Sequence, residues 1–137
     1  MAYQAVDEIM ARCEKAGVEF WKAVQLEDCE ENGISEEESW NQMTHMWNSM
    51  KESVAAYDPE AISRSGLVGR EGKLMDAYRE QKKPLCGDFV SKVIANALKM
   101  GCNNACMKRI VAAPTAGACG VMPAVLVTYY KEYEASE

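Results

Sequence analysis

The run Ile110-Val-Ala-Ala-Pro-Thr-Ala-Gly-Ala-Cys-Gly-Val-Met-Pro-Ala124 sets a turn of very small side chains between two apolar stretches. Such side chains leave the main chain uncovered, so the amides of residues 116–120 can approach a ligand closely. A helix starting at or just after Cys119 puts those amides at its positive end, where a carboxylate or phosphate is favoured. The chemistry on offer is anion binding, with the Thr115 hydroxyl beside the amides of Ala116 and Gly117. The same pattern also describes a tight helix entry packed against a neighbour.

A second polar segment, Ser63-Arg-Ser-Gly-Leu-Val-Gly69, places the hydroxyls of Ser63 and Ser65 next to Gly66, and Asn104-Ala105 followed by Met107 stands just ahead of the small-residue turn. Ser63, Ser65 and Asn104 can hydrogen-bond an ammonium or a carboxylate, at roughly 1.5 to 3 kcal/mol per charge-assisted bond. Structural roles are open to the same residues: the serines can cap turns, and the asparagine can satisfy a buried carbonyl. Gly69, Gly72 and Lys73 invite a phosphate-loop reading, but the spacing fails and Leu74 stands where a metal-binding hydroxyl belongs. Cys102 and Cys106 share a helix face with Cys119 close by in sequence, yet no C-x2-C pair occurs. We read these cysteines as small core residues. No metal-ligand set and no general base is visible, so the catalytic residues are unassigned.

The three segments, taken in order and spacing, resemble the alpha chain of iron-sulfur-dependent L-serine dehydratase, also called L-serine ammonia-lyase. The resemblance rests on the run from Ile110 to Leu126, on Ser63-Arg-Ser-Gly-Leu-Val-Gly69 and on Asn104-Ala105 with Met107, and it extends from about Glu19 onward. The chain departs from the family at Gly69-Arg70-Glu71, where Gly-Gly-Asp is usual, at Cys102 in place of a Glu, and at Lys108 in place of a Gly. The resemblance implies an N-terminal portion of an alpha chain that acts on L-serine with the remainder of that chain and a beta subunit or domain. It implies conversion of L-serine to pyruvate and ammonia by elimination of water, with a 4Fe-4S cluster as Lewis acid. The cluster's ligands are expected downstream, with none bound to this segment. Substrate-binding roles then fall on Ser63, Ser65, Gly66, Asn104, Thr115, Ala116 and Gly117.

Positioning these residues is a task for helices. Val6, Ile9, Met10 and Cys13 form one helical face ended by Gly17; Phe20, Trp21 and Val24 mark a second helix closing at Asn32-Gly33; and Ser35 with Glu38 is a capping box that opens a third. Along that third helix Trp40, Met43, Trp47, Met50, Val54 and Tyr57 alternate spacings of three and four, a packing seam that Asp58-Pro59 stops. His45 lies opposite the seam among polar residues, and we read it as exposed and not catalytic. A short helix carries Leu74, Met75 and Tyr78. After Lys82-Lys83-Pro84, Phe89, Val90, Val93, Ile94, Ala97, Leu98 and Gly101 define a broad apolar face that makes the next helix central, with Asp88 as a first-turn acid. The last helix, from about Cys119, shows Val121, Val125 and Tyr129 on one face. The expected fold is all-α, a single helical domain over residues 1–137 with the Pro-Thr-Ala-Gly turn before the last helix.

Bulk properties narrow the partners. A chain of 137 residues has material for one domain, and 48% hydrophobic content suits a packed core. Its net charge of −6 argues against nucleic acid, since binding phosphates needs a surplus of Lys and Arg. A start without a basic region and apolar core, the absence of a membrane-length apolar run, and six scattered cysteines point to a reducing, cytoplasmic setting. The tryptophan and methionine seam is expected to leave apolar surface bare and so to drive self-association. The rival reading is a non-catalytic helical module that binds an amino acid or a partner protein. A serine dehydratase using pyridoxal phosphate is disfavoured, because no lysine has a setting suited to Schiff-base formation.

Overall fold

The computed structural model describes residues 3–81 and 83–136; Met1 and Ala2 at the start, Lys82 of the Lys-Lys-Pro stop, and Glu137 lie outside them. Among the described residues the chain is all-α, with six α-helices, one 3-10 turn and no strand. Its contacts gather into two compact units, Met1–His45 and Met46–Glu137.

In the first unit α1 (Val6–Ala16) and α2 (Phe20–Asn32) form a hairpin. Each ends at a glycine in the left-handed region, Gly17 at φ 65° and Gly33 at φ 64°, where the cap amide reaches a carbonyl of the last turn. Arg12 ties the hairpin by bonding Glu27 at 2.7 Å and Glu30 at 2.5 Å. Ala23 and Cys29 are its buried residues. The capping box opens α3 (Glu36–Ala55): the Ser35 amide donates to Glu38 Oε2 at 3.1 Å, and the Glu38 amide donates to Ser35 Oγ at 3.1 Å. The seam on α3 is divided. Trp40 and Met43 are exposed, with Trp40 resting on Trp21, and Tyr57 falls beyond the helix end. His45 is exposed, in line with the sequence reading.

The second unit is built around α5 (Gly87–Ala105), which packs against α4 (Glu71–Gln81) on one side and α6 (Val121–Tyr133) on another. Met50 and Val54 at the end of α3 join Met100, Val111, Ala113 and Val127 in the core. The central place of α5 agrees with its apolar pattern, but the side it buries does not. Ser91, Ala95, Met100, Cys102 and Asn103 are inward, whereas Val90, Ile94 and Leu98 are exposed. Polar side chains turn inward because each has a partner. Ser91 Oγ donates to the Asp88 carbonyl and accepts from Arg79 Nε, and Asn103 Nδ2 donates to the Ser53 carbonyl at 2.7 Å. Likewise α6 buries Pro123, Ala124, Val127 and Thr128, not the expected face of Val121, Val125 and Tyr129. It also starts at Val121, two residues later than Cys119, because residues 116–118 form a separate 3-10 turn.

Candidate functional site: two polar loops flanking one helix

The serine loop closes on itself. The Ser63 amide donates to the Val68 carbonyl at 2.7 Å, the Gly66 amide to the Ser63 carbonyl at 2.8 Å, and the Val68 amide to Ser63 Oγ at 3.1 Å. Ser63 and Ser65 hydroxyls lie 3.1 Å apart, and the Leu67 amide reaches Ser65 Oγ at 3.4 Å. Ser63 is buried and Ser65 exposed, while Gly66, at φ 75°, occupies a conformation that a side chain would strain. The turn-forming role of both serines is therefore real, and it leaves Ser65 facing solvent with hydrogen-bonding capacity to spare. A shallow recess of about 200 Å³ beside the loop is lined by Ile62, Gly66, Leu67, Val68, Gly69 and the flanking Arg70 and Glu71.

Glu71, the first residue of α4, clamps this loop to α5. Its Oε2 accepts the Gly69 amide at 2.8 Å and the Cys102 thiol at 3.1 Å. The thiol bond and the amides around it hold the Glu71 carboxyl below its ordinary range. Burial, and then the same carboxylate, push the Cys102 thiol up. Tyr57 braces the loop from α3's side, its hydroxyl accepting the Lys73 amide at 3.0 Å and donating to the Gly69 carbonyl at 3.5 Å. Gly69 is glycine for want of space: a Cβ there would lie 2.4 Å from the Ala61 carbonyl oxygen.

The small-residue turn follows a cis Ala113–Pro114 bond. Thr115 is extended, and residues 116–118 then make one 3-10 turn in which the Ala118 amide bonds the Thr115 carbonyl at 3.0 Å and the Cys119 amide bonds the Ala116 carbonyl at 3.3 Å. The Ala116 and Gly117 amides have no hydrogen-bond partner among the described residues, and Thr115, Ala116 and Gly117 are exposed. So the open amides belong to the 3-10 turn and not to the start of α6, which corrects the expected placement at the positive end of the last helix.

These two loops meet α5 on different sides. A Cβ on Gly72 would fall 2.5 Å from Lys99 Cγ, and Glu71 bonds Cys102, so the serine-loop side of α5 is that of Lys99 and Cys102. Gly120 lies against the Ala97 carbonyl and Met100, and at about 100° per residue that side is nearly opposite. No residue of 115–120 lines the recess beside the serine loop. Asn104 falls on the turn's side and is exposed. Its neighbour Asn103 is the asparagine that satisfies a buried carbonyl, that of Ser53. Thus Ser63, Ser65 and Gly66 are together, Thr115, Ala116 and Gly117 are together, and Asn104 stands near the second group. Glu71, Cys102, Asn103 and Tyr57 were missed as positioning residues, although Glu71 and Cys102 already stood out as departures from the family pattern. Among the described residues no three His, Cys, Asp or Glu side chains converge as a metal site requires, so Cys102, Cys106 and Cys119 do not fit an iron-sulfur cluster.

Fold and loops together define an all-α protein that carries two small polar segments on the flanks of one central helix. Its particular family follows from comparison: the serine dehydratase alpha chain family matches residues 15–137, and the chain belongs to that family. It is similar to the L-serine dehydratase alpha chain of Peptoniphilus asaccharolyticus, 30% identical over 127 residues, covering 92% of this chain and 44% of that one. It is also similar to a probable L-serine dehydratase alpha chain of Bacillus subtilis (strain 168), 32% identical over 92 residues, covering 67% of this chain and 31% of the relative. The chain therefore spans less than half the length of these relatives. No solved structure shows a significant match to it.

Proposed function

We propose that this chain is the N-terminal part of an iron-sulfur L-serine dehydratase alpha chain, working in the cytoplasm with the remainder of that chain and a beta subunit or domain. The reaction removes a proton from Cα and hydroxide from Cβ of L-serine; the aminoacrylate formed tautomerises and is hydrolysed to pyruvate and ammonia. The 4Fe-4S cluster is held by residues outside this chain, and the general base is unassigned. The contribution of this segment is substrate grip. The Thr115 hydroxyl and the Ala116 and Gly117 amides take the carboxylate, and Ser63, Ser65 and Asn104, with the Gly66 main chain, supply further bonds to carboxylate or ammonium. The two loops sit on different sides of α5, which counts against the expected single pocket: a helix with its side chains is about 10–12 Å across, so both loops reach one L-serine only through a rearrangement of the serine loop, and without it the grip falls to residues 115–117 with Asn104.

Family membership over residues 15–137 is the observation that carries this reading, and the unpartnered amides of the 115–117 segment support the assignment of grip. The test combines the chain with the downstream alpha-chain sequence and the beta component, restores iron and sulfide without oxygen, and follows pyruvate formed from L-serine. Pyruvate formation that requires this chain supports the proposal. Binding of L-serine with no turnover in the complete mixture favours the non-catalytic module instead.

A further inference from the structure

Three helices of the second unit set polar faces around one space. Lys92, Asn96 and Lys99 follow at spacings of four and three on α5, Asp76 and Arg79 are three apart on α4, and Thr128, Lys131 and Glu132 share one face of α6. Together they line a recess of about 230 Å³. No residue of 63–66, 104 or 115–117 lines it.

The recess is positive in a chain whose net charge is −6. Arg79, Lys92, Lys99 and Lys131 bring four cations to it, against the carboxylates of Asp76 and Glu132 and, from outside the lining, that of Asp88. Lysines hold all three carboxylates closely: Lys99 bonds Asp76 at 2.7 Å, and Lys92 bonds Asp88 at 2.6 Å and Glu132 at 2.5 Å. Arg79 reaches the same Asp76 and Asp88 only at 3.3 Å and 3.4 Å, beyond the roughly 2.7–2.9 Å of a charge-assisted bond. Of its five donors, one goes to Ser91 Oγ at 3.1 Å. Lys131 has no ion pair among the described residues. Nor are these charges free to swing into water: the side chains of Arg79 and Lys99 are 18% and 19% exposed, with the Lys99 stem against Gly72 and its ammonium over the Tyr57 ring. Positive charge is thus held in a partly sheltered space with too little negative charge to neutralise it, and a bound anion relieves that imbalance.

Donors enter from three helices. A guanidinium fork comes from α4 and an ammonium from α6, while on α5 Asn96 gives one N–H to Thr128 Oγ1 at 2.8 Å and keeps a second. Donors set around a space suit a tetrahedral oxyanion, which accepts on every side, better than a carboxylate, which accepts near one plane. At about 230 Å³ the recess is smaller than the roughly 300–1,000 Å³ of a site for drug-sized ligands, so its size selects a small anion.

We propose that the recess between α4, α5 and α6 binds a phosphoryl group, as inorganic phosphate or a small phosphate monoester, held by Arg79 and Lys131 with Asn96 and the flanking lysines. The test reads binding and involves no dehydratase turnover. Inorganic phosphate is titrated into the 15N-labelled 137-residue chain at an ionic strength kept constant with sodium chloride, and amide chemical shifts are followed. Saturable shifts over residues 76–79, 92–99 and 128–132 are expected, with a Kd at or below about 5 mM. Arg79→Gln is expected to weaken binding at least tenfold, Lys131→Gln at least threefold, and Lys15→Gln in α1 to leave it within twofold. Lys131 is exposed and unpaired, so its variant keeps the fold even where Arg79→Gln does not. Glycerol 3-phosphate distinguishes the two sources: tighter binding than phosphate marks a monoester site, weaker binding a site for the free ion. No saturation by either up to about 50 mM overturns the proposal. Phosphate binding that Lys131→Gln leaves unchanged does so too, as do shifts confined to residues 115–117, which place the anion on the open amides, or displacement of phosphate by L-serine.

Discussion

Two adjacent asparagines at the end of α5 do different work, and substitution separates them. Asn103 is almost wholly buried, and its amide donates to the Ser53 carbonyl at 2.7 Å, joining α5 to α3. Asn103→Ala strands that carbonyl and leaves a small void, so a loss of about 2 to 3 kcal/mol is expected in urea unfolding. Asn104 is exposed, and Asn104→Ala is expected to change stability by less than about 0.5 kcal/mol. If Asn104 grips substrate, its removal raises KM for L-serine in the complete enzyme without altering the unfolding midpoint. Thr115 allows the same separation. It is exposed and its side chain has no partner among the described residues, so Thr115→Val is expected to leave the fold alone and, under the proposed grip, to cost one charge-assisted bond to the substrate carboxylate. That bond, at about 1.5 to 3 kcal/mol, corresponds to a rise in KM of roughly tenfold to a hundredfold. An unchanged KM in Thr115→Val removes this residue from the substrate site.

At the level of elements, the loop between α3 and α4 depends on an absence. Gly69 has no room for a Cβ, which would meet the Ala61 carbonyl oxygen at 2.4 Å and Ile62 Cα at 2.8 Å, both backbone atoms that cannot rotate aside. Gly69→Ala must therefore displace the 61–62 backbone and break the Ser63–Val68 pairing. Faster amide exchange at Ser63, Gly66 and Val68, with the α1–α2 hairpin unaffected, is the expected signature. Helix starts and stops were legible in sequence where a cap rests on local chemistry. The Ser35–Glu38 capping box and the glycines after α1 and α2 each act within a few residues, whereas α3 ends at Ala55, ahead of the Asp58-Pro59 stop, and α6 starts at Val121 and not at Cys119. Which face each helix buries was not legible. Apolar spacing identified Val90, Ile94 and Leu98 as one stripe of α5, but inward placement went to Ser91 and Asn103, whose partners Arg79 and Ser53 are 12 and 50 residues distant. The site was half legible for the same reason. The local composition of 115–117 announces open amides, whereas the Glu71–Cys102 bond spans 31 residues and no spacing rule reveals it.

For the molecule as a whole, the placement of ionisable groups gives stability a dependence on pH with a worked sign. Three carboxyls sit below their ordinary range: Glu71 through the Cys102 thiol and nearby amides, Glu60 through the Lys73 ammonium, and Asp88 chiefly through Lys92. A carboxyl so held binds its proton more weakly folded than unfolded, so its stabilisation is present above the ordinary carboxylate value and is lost as pH falls through the lowered one. Among the described residues five groups lie above their ordinary values: Cys102, Tyr57 and Tyr3 chiefly by burial, and Arg12 and Lys92 chiefly through the carboxylates they bond, Glu30 and Asp88. Folding keeps their protons on, so this contribution is intact below the ordinary thiol value of 9.0 and the ordinary phenol value of 10.0, and is lost as pH rises through the raised ones. The urea midpoint should therefore hold level near neutrality and fall on both sides. Cys102→Ser isolates one arm, because a hydroxyl of similar shape can still donate to Glu71 but does not titrate in this range. It is expected to remove the first part of the alkaline fall, leaving the later part to Tyr57, Tyr3 and Lys92, and to keep the acid arm, since Glu71 retains a donor. An alkaline arm identical to that of the parent would mean that the Cys102 thiol ionises as freely folded as unfolded, and that the Glu71 clamp does not govern its proton.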